Sequence, residues 1–131
     1  MKYLPAIVGA LLGLLFIASG LTMLLGMVPA QEPPPEGSPM AHFFAAFGPT
    51  GYLSFIKVLE IVGGVLLAIP RTRNLGLLTL GPIIVNIIAF HVFITRGVGL
   101  LHPVLIGIVA ATLFLLWAER RAFAALVRRP A

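Results

Sequence analysis

YLPAIVGALLGLLFIASGLTMLLGMV, residues 3–28, carries no charged side chain. A helix crosses a bilayer with roughly 20 mostly apolar residues, so this run is long enough to span. Lys2 before it and Val28-Pro29-Ala30 after it resemble a cleavable leader. The apolar part of such a leader usually covers about 7–15 residues, so the run reads as a retained span.

Working outward, three further runs are of spanning type: about 52–69, carrying Lys57 and Glu60; about 75–94, carrying Asn86 and His91; and about 100–117, without charge. The whole chain agrees. Of 131 residues 60% are apolar and 10% charged, and the mean hydropathy is +1.09. Soluble domains carry about 25% charged residues, so this chain cannot cover a water-facing exterior. The expected fold is all-α: one integral membrane domain over 1–131, a four-helix bundle solvated by the lipid bilayer.

The connections read from their breakers. Residues 29–51 form the first loop, with six of the eleven prolines between Pro29 and Pro49. Proline lacks an N–H donor and fixes φ, which excludes a spanning helix there. Within this loop Met40 to Phe47 predicts a short interfacial or re-entrant helix ended by Gly48-Pro49. Residues 70–74 predict a tight polar turn and 96–99 another. With four spans, Lys2, Arg71, Arg73, Arg120, Arg121, Arg128 and Arg129 fall on one side and Arg96 on the other. Basic residues mark the cytoplasmic side, so both termini and the tail, 118–131, are expected there. Trp117 marks that interface, and 120–129 reads as an amphipathic helix on anionic lipid or as a disordered tail.

The net charge of +5 is spread over helix ends and interleaves with no aromatic cluster, so no nucleic-acid partner is expected. With no cysteine, thiol chemistry and thiolate metal sites are excluded. No phosphate-binding, dinucleotide-binding, nucleophilic-serine or zinc-protease motif occurs. His42, His91 and His102 lack the local spacing of metal ligands, so no metal is expected.

The informative residues are the polar ones within the spans. A charge at mid-bilayer costs at least ~2.5–3.5 kcal/mol, so such side chains turn inward and pair. Lys57 and Glu60, three apart, share a helix face. Reflection through the 71–72 turn puts Lys57 level with Asn86, and Tyr52 level with His91. Thr22 lies at a similar depth. Thr22, Tyr52, Lys57, Glu60, Asn86 and His91 are therefore the candidate ligand-binding residues. Asn86 and His91 are about 140° apart round a regular helix and should not both face one small site. The same set allows three uses: a structural network with Glu60 bonded to Lys57 and Asn86, a pocket for a small amphipathic ligand such as a quinone headgroup, or a proton path. Gly63 and Gly64 predict close helix packing.

Phe16-Ile17-Ala18-Ser19-Gly20-Leu21, Gly48-Pro49-Thr50-Gly51-Tyr52, Lys57-Val58-Leu59-Glu60-Ile61-Val62-Gly63-Gly64, and Gly81-Pro82-Ile83-Ile84-Val85-Asn86 with His91 resemble, in order and spacing, the DoxX and DoxX-like family of small bacterial membrane proteins. The resemblance covers most of the chain. It implies a four-helix bundle of the bacterial inner membrane, associated in some relatives with quinone-linked sulfur oxidation or membrane oxidoreductase assemblies. One departure stands out: relatives often carry a lysine after the helix-one glycine, where this chain has Thr22-Met23. The expected function is that of a non-catalytic, accessory subunit beside a redox partner, with quinone as the ligand the resemblance suggests. The alternative is a small proton-coupled carrier working as a homo-oligomer. An enzyme using Glu60 or His91 as acid–base groups ranks last, because no nucleophile–base arrangement accompanies them.

Overall fold

A computed structural model describes residues 2–128; Met1 and residues 129–131, and with them the expected contribution of Arg129, lie outside the described residues. Six α-helices and no strand occur among them: α1 (Leu4–Leu24), α2 (Pro39–Phe47), α3 (Tyr52–Ala68), α4 (Arg73–Ala89), α5 (Pro103–Ala118) and α6 (Arg120–Val127). A 3₁₀ turn, Pro70–Thr72, leads into α4, and a π-helical turn, Phe90–Ile94, extends it. Two continuous helices are long and apolar enough to cross a membrane, Leu4–Leu24 and Pro70–Ile94. The number rises to four if the bent pairs α2–α3 (79°) and α5–α6 (69°) each count as one span.

Helix ends follow local chemistry. The first helix stops at Leu24, four residues before the expected end, because Gly26 takes φ +69°. Its N–H bonds Met23 O at 3.2 Å and the Met27 N–H bonds Thr22 O at 2.8 Å, which together satisfy two terminal carbonyls. The short loop helix forms as expected: Ser38 Oγ accepts from the Ala41 N–H at 3.2 Å, Pro39 opens α2, and Gly48 closes it. Gly51, at φ +85° with open space about it, then redirects the chain into α3. The fourth expected span begins at Pro103, not near 100, because His102 Nδ1 accepts from the Val104 N–H and proline suits the first helical turn.

The 70–74 segment departs from its expectation as a polar turn. Arg73 and Asn74 are already helical, and Arg73 is buried. Thr72 Oγ1 donates to Leu66 O at 2.8 Å, filling a carbonyl that the end of α3 leaves free.

The most extensive contact is α1 on α3, followed by α3 on α4; α5 meets α1 and α4 more sparsely. Gly63 and Gly64 explain this order. They point to different neighbours, being about 100° apart round the helix. A Cβ on Gly64 would lie 2.6 Å from Gly13 O of α1, and one on Gly63 would lie 2.7 Å from Leu80 Cγ of α4. Gly76 completes the second contact, its Cα facing the backbone of Leu67. The helices thus touch backbone to backbone, where many small dispersion contacts add up. Leu12, Phe16, Leu67, Leu77, Leu80, Ile83, Ile84 and Leu115 form the core. Outside it, exposed large apolar side chains outnumber buried ones.

Candidate functional site

A cavity of about 590 Å³ opens at the end of the molecule where α2 folds back over α3 and the π turn. That volume suits a small organic ligand. Of the six candidate residues, five line it: Tyr52, Lys57, Glu60, Asn86 and His91. Thr22 is not among them. Its hydroxyl donates to Ser19 O at 3.1 Å on its own helix, and Met23 meets the cavity instead.

Glu60 is the most deeply placed polar group, 3% exposed. Lys57 Nζ lies 2.9 Å from its Oε2, as the three-residue spacing requires. The approach is too oblique for a hydrogen bond, and Oε2 has no other partner. Lys57 also donates to Ser19 Oγ of α1 at 3.4 Å. Ser19 was not foreseen, although it sits one turn before Thr22. Gly20 makes that meeting feasible: a Cβ there would lie 2.9 Å from Lys57 O, so only glycine lets α1 approach α3 at this level.

The Glu60–Asn86 bond that the structural-network reading would use does not form. Asn86 Nδ2 donates to Pro82 O at 2.8 Å. A carbonyl four residues back is always within reach of a helical asparagine, so this local partner costs little ordering entropy. Asn86 and His91, about 140° apart round the helix, both reach this cavity, which is walled by several helices and is wider than one small site. His91 Nδ1 lies 2.8 Å from Ile87 O, and Thr95 Oγ1 closes the turn on His91 O at 2.9 Å.

The walls are aromatic. Phe43 packs on Phe90 with ring centroids 4.8 Å apart, and Phe47 on Tyr52 at 4.6 Å. These contacts tie α2 to the rest of the fold. Among the described residues no three His, Asp or Glu side chains converge; His42 is exposed on α2 and His102 caps α5.

A second, partly buried pair lies at the opposite end. Arg73 Nη1 bonds Glu119 Oε1 at 3.1 Å, with side chains 10% and 24% exposed. The Arg73 guanidinium packs over Gly9 of α1, where a Cβ would lie 3.3 Å from Nε. A 46-residue separation gave no local signal of this pairing. It gathers the start of α1, the α3–α4 turn and the α5–α6 joint at one end of the molecule. Nearby, the Arg120 guanidinium stacks over Trp117, 4.3 Å from its ring, and donates to Trp117 O at 2.8 Å.

Fold and site together define an all-helical protein with two to four apolar helices of membrane-crossing type and one polar-floored cavity. The chain is 34% identical over 133 aligned positions, covering 98% of it, to the uncharacterized protein YwoB of Bacillus subtilis (strain 168), of which 84% is covered. It belongs to the family of that protein. No family model matches the chain, and no solved structure matches it.

Proposed function

We propose that the chain is a DoxX-like protein of the bacterial cytoplasmic membrane, a four-helix bundle with both termini in the cytoplasm. In this reading it is a non-catalytic, accessory subunit of a membrane redox system, and its cavity holds a quinone-like headgroup. The basic residues support the orientation: Arg71, Arg73, Arg120 and Arg121 share the end drawn together by the Arg73–Glu119 pair. The α2–α3 cavity then lies towards the outer face.

One observation carries the ligand assignment: an aromatic-walled cavity whose deepest polar feature is a compensated ion pair. Lys57 is neutralised by Glu60, so the site carries no net charge for an ionic headgroup to seek. A neutral ring with polar substituents matches both the walls and the floor. A carrier would need a second opening below Glu60. There the helices meet at Gly64 and Gly13 and at Gly63 and Gly76, and Leu67 and Leu80 are fully buried.

Native mass spectrometry of the protein, released from its own membranes in mild detergent, tests the proposal. The expected result is one quinone adduct per chain, absent in Phe43→Ala. A spectrum showing phospholipid adducts alone would refute it.

A further inference from the structure

The hydrogen bonds already made around the cavity leave it short of donors. Pro82 O and Ile87 O are carbonyl oxygens and can only accept. Asn86 therefore spends one of its two amide N–H groups on Pro82 O, leaving the other N–H and its Oδ1 free. His91 must carry its proton on Nδ1 to meet Ile87 O, so Nε2 of the neutral ring is left as an acceptor. Lys57 holds Nζ against Glu60 Oε2 as an ion pair and donates to Ser19 Oγ, engaging one of its three donors. Glu60 Oε2 is buried without a hydrogen bond. An ionised carboxylate offers about four lone-pair directions, and one oblique lysine does not fill them. Free acceptor positions thus exceed free donors by about two to one, and the deepest group is an under-satisfied acceptor. Tyr52 adds a hydroxyl only at the half-exposed mouth.

We propose that the cavity selects a ring whose substituents donate hydrogen bonds, and so holds a hydroquinone in preference to the corresponding quinone, with Glu60 as the principal acceptor. This rests on the reading of the cavity as a quinone-headgroup site and names the redox state it takes. A quinone brings two carbonyl acceptors to a site already rich in them. A hydroquinone brings two O–H donors and the same ring for the Phe43, Phe47 and Phe90 walls. A hydroxyl donated to a carboxylate is charge-assisted and about twice as strong as a neutral hydrogen bond.

The test is isothermal titration of the detergent-purified full chain with a decyl-substituted benzoquinone, and with the same molecule reduced to its hydroquinone under anaerobic conditions. The hydroquinone should bind about tenfold tighter, the net worth of one hydrogen bond to a charged group. In Glu60→Gln the amide supplies a donor in place of the charge, and the preference should fall to about threefold or less. If that variant does not fold, the wild-type ratio alone decides. Equal affinity for the two forms, or a tighter quinone, overturns the redox preference while leaving the quinone-site reading intact. Binding of neither form overturns both.

Discussion

The contact most open to direct test is the backbone crossing of α1 and α3. In Gly64→Ala the new Cβ would stand 2.6 Å from Gly13 O and 2.9 Å from Ile17 Cγ1. Ordinary contact begins at 3.4 Å, so the larger overlap is about 0.8 Å. The atom in the way is main chain, which has no alternative rotamer, so α1 as a whole must move outward. A gap of that size forfeits about a quarter to a half of each dispersion contact along the interface. Overpacking of this kind costs about 1–3 kcal/mol, reduced by the gain in helix propensity of about 0.5–1 kcal/mol from replacing a glycine. Gly81→Ala is the matched control, because nothing lies within 4 Å of a Cβ there and it should gain that propensity without penalty. Unfolding in a mild detergent series, followed by circular dichroism, should therefore place Gly64→Ala about 1–3 kcal/mol below Gly81→Ala. A Gly64→Ala variant as stable as Gly81→Ala would refute the close crossing, and with it the placement of Ser19 beside Lys57.

Glu119→Ala should destabilise the fold by about 2–4 kcal/mol, because it leaves the buried Arg73 uncompensated; the double variant Arg73→Met, Glu119→Leu should recover most of that loss in the same unfolding assay. Glu60→Leu should likewise leave Lys57 unpaired and cost about 2–4 kcal/mol, whereas Asn86→Leu, whose amide serves only its own helix, should change stability by less than about 1 kcal/mol. Topology is accessible because the chain has no cysteine. In intact cells a membrane-impermeant maleimide should label Glu32→Cys, and should reach Arg121→Cys only after permeabilisation. The opposite pattern would overturn the proposed orientation.

Much of the local structure was legible. Ser38-Pro39 and Gly48-Pro49 bracket α2 because a hydroxyl cap, a proline and a glycine act on their immediate neighbours. Lys57 and Glu60 pair because three residues is about one helical turn. Reflection through the 71–72 turn put Lys57 level with Asn86 and Tyr52 level with His91, and all four line the cavity, since hairpin depth depends only on rise per residue. The same reasoning misassigned Thr22. Depth alone does not say which way a side chain turns, and Ser19, one turn earlier, is the residue that faces Lys57. The Glu60–Asn86 bond failed for a related reason: a local acceptor at Pro82 stood closer than a partner on another helix.

Apolar run length, breaker residues and the placement of charge determined, without any tertiary information, that the chain is helical, roughly where each helix stops, and which polar side chains need shelter. Those properties act within a few residues or through composition. Only the tertiary structure decided that Arg73 meets Glu119, that Ser19 meets Lys57, and that α2 folds back so Phe43 rests on Phe90. In α1, α4 and α5 apolar residues are spread round every face, so no stripe in the sequence marks the side that turns inward. Facing was settled by where glycines let backbones touch, a property of two helices together and of neither alone.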